Sequence, residues 1–250
     1  RSRTEQQAGR YAGILTDGRR WHVYELDPSD NSFQQRSSFE LTTSKKGQEL
    51  VEWLQAVLAT QSGIVPKQES IEALLGSTSP AYAQDLAYLR GLYRQVASDP
   101  TVQLKRELWA RLLRSALGTD FTDTEDLFLD HTLLVTEAAV IGHAVMGIQL
   151  PELSSDPRKL LRGDAFSDAG IHNAVESDFF DWTLAAGEDG RRFLAQVIRR
   201  VAVFDWSRTE HDVLKVLYES IIRPETRKGL GEYYTPDWLA EGIVQKTITN

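Results

Sequence analysis

The sequence predicts a mainly α protein, a helical bundle preceded by a small N-terminal antiparallel β unit. Two observations carry this prediction. The first 43 residues contain short apolar runs separated by dense turn signals, a pattern typical of strands joined by tight turns. From residue 44 onward apolar residues recur at intervals of three or four, so each segment presents one apolar face of an amphipathic helix.

The β unit is predicted from its turns and its alternating side chains. Asp17-Gly18 separates strands expected over 11–16 and 21–26, because this dipeptide readily adopts the positive φ angles of a two-residue hairpin turn. Residues 38–43 are a predicted third strand. Three strands bury too little surface to be stable alone, so we expect the unit to pack against helices or to belong to a larger sheet.

The helical part shows a regular series of start signals. Ser79-Pro80 places proline in a first helical turn, where its missing N–H costs nothing, and Ser207–Glu210 has the spacing of a capping box. Thr122 or Asp123 is expected to cap the longest and most apolar helix, which we place at the centre of the bundle. Helices are therefore predicted over residues 44–62, 68–75, 80–96, 100–118, 123–147, 188–203, 207–222 and from 236 onward, with loops and short helices over 150–175.

Four helices carry apolar stripes at helical spacing that we expect to be buried, namely those over 44–62, 80–96, 100–118 and from 236 onward. The stripe of the helix over 100–118 consists of Leu104, Leu108, Leu112 and Leu113. The stripe of the last helix consists of Trp238, Leu239, Ile243 and Val244.

Composition excludes several classes of protein. The 250 residues include no cysteine, which rules out disulfides, thiolate metal sites and a cysteine nucleophile. No apolar run reaches the roughly 18–20 residues of a membrane span. The net charge is −8, and residues 120–190 hold 15 acidic against 3 basic residues. Such a surface repels phosphate backbones, and we interpret the block as a solvated face that aids solubility.

The familiar catalytic motifs do not occur in the sequence. A magnesium-dependent nuclease of the restriction type needs an acidic residue two positions before a lysine, and none of the eight lysines has one. There is no Walker A loop, dinucleotide-binding glycine motif or zinc-protease helix. His131 and His143 are the one histidine pair that could share a helix face, and a structural role is favoured for both. The sequence therefore predicts neither catalytic residues nor a metal site in this chain.

The most informative segment is DVLKVLYESII at 212–222, followed by RPET and RKGLGEYYTPDWLAEGIV through residue 244. It resembles the entry into the catalytic domain of adenine-specific DNA methyltransferases. These occur in type I methylation subunits, in type IIG fused restriction–modification enzymes and in phage-defence methylases. The resemblance covers residues 212–244 well and most of the remaining chain thinly.

The resemblance implies an S-adenosylmethionine pocket lined by Tyr233, Tyr234, Thr235 and Pro236. A glycine-rich loop lets backbone approach a ligand, and a helix that begins at Thr235-Pro236 leaves N–H groups free to hold a carboxylate. An ordinary capped helix with a buried aromatic pair is the alternative interpretation of the same residues.

The resemblance also implies a domain organisation. Residues 1–43 resemble the end of a nuclease domain, 44–206 a helical connector and 207–250 the start of a methyltransferase domain. The family's later cofactor loop and its Asn-Pro-Pro-aromatic loop, which holds the flipped adenine, do not occur here. We therefore expect the chain to be a catalytically inactive fragment, an expectation that the missing initial Met fits.

The expected function is that of a cytoplasmic bacterial DNA adenine-N6 methyltransferase that binds double-stranded DNA through the complete protein. Direct DNA contacts are expected to be weak. Their candidates are Arg223, Arg227 and Lys228, beside Arg199 and Arg200. The alternative is a non-catalytic helical module that binds a protein partner. The recognition sequence, the oligomeric state and any cleavage of DNA by the complete protein are left open by the sequence.

Overall fold

A computed structural model describes residues 11–26, 31–43, 47–117, 121–148, 150, 153, 156–172, 179–222, 227, 235 and 237–248. Within these ranges the protein is mainly helical, with one small antiparallel sheet near its N-terminus. The predicted fold class is confirmed. In this described part of the chain, no helix has the length and apolar character needed to cross a membrane.

The sheet contains β1 (Ala12–Thr16), β2 (Arg20–Leu26) and β3 (Phe33–Glu40) in the order β1-β2-β3, with antiparallel neighbours. The predicted hairpin turn joins β1 to β2. Its Asp17 carboxylate accepts hydrogen bonds from the backbone N–H groups of Arg19 and Arg20, at 2.9 and 2.6 Å. These bonds hold the pKa of Asp17 below its usual range.

The third strand was predicted wrongly at 38–43. β3 starts five residues earlier, because it pairs along the whole of β2, from Leu26 opposite Phe33 to Arg20 opposite Glu40. Residues 34–38 of β3 are a polar run of Gln, Arg and Ser, so no alternation of apolar residues marks the strand. The pairing with β2, rather than the local pattern, therefore defines this strand.

Helix α1 (Gly47–Leu58) covers one face of the sheet. Its Trp53 and Val57 enclose Val23 of β2 in a small separate core, and the Trp53 indole N–H donates to the Ser37 hydroxyl at 3.0 Å. The expectation that the sheet packs against a helix is thus met within the chain itself.

The helical body follows the sheet and α1 along the chain. Its long central helix corresponds to the one predicted over residues 123–147. Its elements are α2 (Gln68–Leu74), α3 (Pro80–Val96), α4 (Pro100–Leu117), α5 (Glu125–Val145), α6 (Arg158–Arg162), α7 (Asp164–Asp168), a 3₁₀ segment (Phe180–Ala186), α8 (Gly187–Val201), a 3₁₀ turn (Trp206–Arg208), α9 (Val213–Ile221) and α10 (Asp237–Ile248). Helices α3, α8 and α9 pack around α5. Helix α9 contributes to the same hydrophobic core. The domain boundary predicted near residue 207 therefore does not lie between two separate hydrophobic cores.

Aromatic rings fill the middle of the body. The Phe128 ring of α5 lies 5.0 Å from Trp109 of α4 and 6.0 Å from Trp182, centroid to centroid. The Trp182 indole N–H donates to the buried Thr132 hydroxyl at 3.0 Å, so its polar atom is satisfied inside the core.

Two helix starts differ from the prediction. Thr124, rather than Thr122 or Asp123, caps α5, and its hydroxyl accepts from the N–H of Leu127 at 3.2 Å. Ser207–Glu210 does not start a long helix. The helix begins instead at Val213, because the Asp212 carboxylate accepts from the N–H of Lys215 at 2.9 Å.

Most of the apolar stripe predicted to be buried on α4 lies on the exposed face of the helix. Leu104, Leu108 and Leu112 are exposed, whereas Val102 and Trp109 are buried. The ring of Trp109 has aromatic partners in the neighbouring elements, and burying it turns the leucines outward. The stripe of α10 is likewise exposed, with Trp238 at 73% of its full accessibility.

One close approach between elements requires glycine. The Cβ of any other residue at Gly190 of α8 would lie 1.9 Å from the carbonyl oxygen of Thr183. Gly91 of α3 is also helical, but a Cβ there would meet no atom within 4 Å.

We therefore expect Gly190→Ala to destabilise the fold by several kcal/mol, since the 3₁₀ segment must shift inside a packed core. Gly91→Ala is the matched control and should stabilise by up to about 1 kcal/mol through helix propensity. Urea unfolding followed by circular dichroism measures both. Equal stabilities of the two variants would contradict the close approach.

Candidate functional site

The predicted cofactor segment lies between α9 and α10. Tyr233, Tyr234 and Pro236 lie outside the described residues, and Thr235 is exposed. Helix α10 begins at Asp237, directly after the Tyr-Tyr-Thr-Pro sequence. Helix α10 thus follows the predicted cofactor segment along the chain.

The candidate DNA-binding cations have different surroundings. Arg223 and Lys228 lie outside the described residues. The Arg227 guanidinium donates to the carbonyl oxygen of Ile222 at 3.1 Å and lies 3.5 Å from the Glu219 carboxylate. It thus interacts with the C-terminal end of α9, where a cation is favoured.

Arg200 is not a surface cation, which corrects its place among the DNA-binding candidates. It is 5% exposed, and its guanidinium lies inside the body between α3 and α8. A buried guanidinium with protein partners has no access to a phosphate backbone, which is held by solvent-facing Lys and Arg.

The histidine pair of α5 is structural. His131 accepts a hydrogen bond from the Trp109 indole N–H at 3.2 Å, and burial lowers its pKa to about 4. His143 is buried with Nδ1 2.7 Å from the carbonyl oxygen of Ala139. Over the described ranges, no three acidic or histidine side chains are grouped as metal ligands.

The strongest electrostatic feature is a buried polar cluster around Arg200. Its guanidinium donates to the Asp85 carboxylate at 2.6 Å, to the Gln84 side-chain oxygen at 2.7 Å and to the backbone carbonyl of Ala81. The Gln196 amide donates to the other Asp85 oxygen at 2.6 Å. The pair therefore has several hydrogen-bond partners, which help to offset the desolvation of a buried ion pair.

Glu137 of α5 is the unusual member of this region. It is 1% exposed, and its Oε2 atom has no hydrogen-bond partner among the described residues. Burial raises its pKa well above the ordinary value of 4.5, the negative charge of Asp85 raises it further, and Arg200 opposes the shift. Glu137 therefore favours its neutral form more strongly than an ordinary glutamic acid does.

A cleft of about 860 Å³ opens beside the cluster. Residues of β3, α1, α3 and α8 line this cleft, among them Arg200 and Gln84. Tyr88 of α3 contacts two of the other elements, because its hydroxyl donates to the Asp189 carbonyl at 3.3 Å and the Arg36 guanidinium lies 5.8 Å from its ring centre. Burial raises the pKa of Tyr88 to about 12.

Sequence analysis missed both the cluster and the cleft. Asp85 lies within the apolar stripe of α3, Glu137 lies within the apolar run of α5, and Arg200 lies in the last turn of α8. A charged residue on a buried helix face needs a partner. The position of each of these charged residues in its helix was therefore the signal in the sequence that could have indicated a buried cluster. The signal could not show that Asp85 pairs with Arg200 or that both charges act on Glu137.

Comparison with known proteins gave no match. No protein-family model, no curated protein and no solved structure is significantly similar to the chain.

The pKa of Glu137 gives a test of the buried cluster. Because its folded-state pKa exceeds the unfolded value, wild-type stability falls as pH rises from about 4.5 towards the folded pKa. Glu137→Gln removes this loss of stability, because the glutamine side chain does not ionise. We expect the variant to be more stable than wild type at pH 8, with a difference that grows by at most about 1.4 kcal/mol per pH unit.

Urea unfolding at pH 5, 6, 7 and 8 measures this difference. Glu107→Gln, a change of the same kind at an exposed position of α4, is the control and should leave the pH profile parallel to wild type. A parallel profile for Glu137→Gln as well would show that Glu137 ionises normally.

Proposed function

We propose that the chain is part of a DNA adenine-N6 methyltransferase of a bacterial restriction–modification or phage-defence system. Its role is to orient a nuclease unit and a methyltransferase unit and to contribute the first segment of the S-adenosylmethionine pocket. The sequence RKGLGEYYTPDWLAEGIV at 227–244 is the observation that carries the proposal.

The order of elements supports this role. Helix α9 precedes the segment and α10 follows it directly, so the glycine-rich sequence connects two helices. An α-helix N-terminus presents unpaired N–H groups and a partial positive charge. The carboxylate of the methionine moiety is a suitable ligand for such an end.

The packing of α9 supports the orienting role. Val213, Leu217 and Ile221 are buried in the same core as α2 and α5. The segment that follows α9 is therefore attached to a helix held by the central body. A packed core transmits orientation, because it deforms little.

The complete protein provides the test. We expect the full reading frame, expressed in bacteria without adenine methyltransferases, to place N6-methyladenine at one short DNA sequence. Tyr234→Ala should lower the methylation rate by about 100-fold, the effect of misplacing a bound reactant. Single-molecule sequencing of host DNA measures the modification.

Tyr11→Ala is the matched control, since Tyr11 is exposed beside β1, and it should methylate at the wild-type rate. Unmodified host DNA together with a soluble wild-type product would contradict the proposal.

The 250-residue chain alone should not methylate DNA. A base-modifying enzyme must extrude its target and hold it, and these residues contain no Asn-Pro-Pro-aromatic loop. Incubation with tritiated S-adenosylmethionine and genomic DNA is the assay, with a known adenine methyltransferase as positive control. Adenine labelling by the chain would show that the missing loop is not needed.

A second candidate function is a non-catalytic helical module that binds a protein partner. The exposed apolar stripes of α4 and α10 favour it, because contiguous apolar surface often marks an interaction site. The complete gene separates the two functions. A cofactor strand and an Asn-Pro-Pro-aromatic sequence downstream of residue 250 support the methyltransferase, and their absence supports the module.

A further inference from the structure

We infer that the exposed leucine stripe of α4 is the contact surface of a two-fold symmetric dimer, in which α4 packs antiparallel against α4 of a second copy of this chain. The stripe consists of Leu104, Leu108 and Leu112. This surface is distinct from the predicted cofactor segment and does not depend on the methyltransferase proposal.

The position of the stripe on α4 is the first observation. Val102 and Trp109 are buried and hold the helix against the body, mainly through the 3₁₀ segment over Phe180–Ala186. The three leucines of the stripe each keep between 37% and 55% of their full accessibility. Residues four apart are neighbours on one face of a helix, so the leucines form a continuous apolar ridge that faces away from the body.

The spacing makes the ridge complementary to itself. An antiparallel pair with its two-fold axis at Leu108 places Leu108 opposite Leu108 of the second copy and Leu104 opposite Leu112 of the second copy. Helices that pack ridge into groove have axes about 8–10 Å apart. Every leucine of the ridge then has an apolar partner and is removed from water, which is the main source of favourable free energy in association.

Charge selects a second copy as the partner. Glu107 and Arg111 lie on one flank of the ridge, where the Arg111 guanidinium donates to the Glu107 carboxylate at 2.7 Å. The two-fold axis brings this same flank of both copies to one side of the interface. Because the second helix runs in the opposite direction, its Glu107 then lies within about 3 Å of Arg111 along the helix axis. A guanidinium has five N–H donors, so Arg111 can bind both carboxylates.

The opposite flank does not oppose the contact. Lys105 lies there, and its ammonium group is paired with the Asp181 carboxylate of its own chain. This pairing offsets the repulsion between Lys105 and Lys105 of the second copy.

The outer edge of β3 is a less suitable surface for contact between copies. On β2, Val23 lies opposite Ser37 and Tyr24 lies opposite Gln35. Arg36 is therefore an extra residue on β3, which is a β-bulge. A bulge interrupts a ladder of backbone hydrogen bonds, so this edge matches that of a second copy poorly.

The size of the ridge sets the strength of the dimer. Three leucines and two charged side chains supply less area than the roughly 800 Å² per partner of a standard interface. We therefore expect a reversible dimer with a dissociation constant of about 10–100 µM.

Sedimentation velocity of the 250-residue chain between about 1 and about 300 µM tests the contact. We expect a monomer at the lower concentration and a dimer at the higher one. Leu108→Glu should weaken association by about tenfold or more, because it places two carboxylates at the axis. Leu214→Glu, the same change at an exposed leucine of α9, is the control and should dimerise like wild type. A monomer at every concentration, or equal association of Leu108→Glu and wild type, would overturn the inference.

Two charge variants test whether the flanks of two copies meet. Glu107→Arg gives the flank two guanidinium groups and Arg111→Glu gives it two carboxylates, so each variant alone should associate about tenfold more weakly than wild type. In an equimolar mixture each guanidinium faces a carboxylate of the other chain, and the dimer should form again. Neither variant keeps the pair within its own helix, so this recovery arises between chains. A mixture that associates as weakly as its components would overturn the two-fold arrangement.

Introduced thiols report the geometry, since the chain contains no cysteine. In the dimer the two Leu108 Cα atoms lie about 5 Å apart, given the axis separation and the helix radius. The two Leu104 positions are separated by about 12 Å along the axis, and a disulfide needs Cα atoms within about 7 Å. Leu108→Cys should therefore form a covalent dimer on mild oxidation and Leu104→Cys should not, as measured by non-reducing electrophoresis. Equal crosslinking of the two variants would overturn the inference.

Discussion

The buried ion pair between Asp85 of α3 and Arg200 of α8 is the constraint on which the helical body depends. The two helices do not adjoin in sequence, and the pair fixes their distance to that of one charge-assisted hydrogen bond, 2.6 Å. Losing one partner of such a pair typically costs about 3–5 kcal/mol, because the other charge stays buried. Residues of the same two helices line the cleft, so this interaction holds that side of the cleft together.

The elements that were predicted correctly are those whose ends are set by neighbouring residues in the sequence. Ser79 caps α3 as expected, since its hydroxyl accepts from the N–H of Tyr82, and Asp17-Gly18 forms the turn between β1 and β2. Elements defined by distant partners were misplaced. Strand β3 follows the register of β2, and the buried face of α4 follows the aromatic partners of Trp109. The pattern of residues within a single helix or strand cannot reveal either of these partners.

The same distinction applies to the sites. The cofactor segment is continuous in sequence, so a resemblance between short stretches of residues is enough to indicate it. The cleft combines β3, α1, α3 and α8, and residues such as Glu52 and Asp189 are far apart in the chain. Each is an ordinary surface acid by itself. Their position in one cleft exists only in the folded protein, and of these two acids only Asp189 belongs to the acidic block at 120–190.

The extra residue in β3 also bears on how copies of the protein behave towards each other. Without Arg36, β3 would pair with β2 in unbroken register and would have a flat, regular edge. Strand edges of this kind can pair between molecules and lead to ordered aggregation. The bulge shortens any stretch over which the edges of two copies can match in register. One inserted amino acid thus limits strand pairing between copies of the protein.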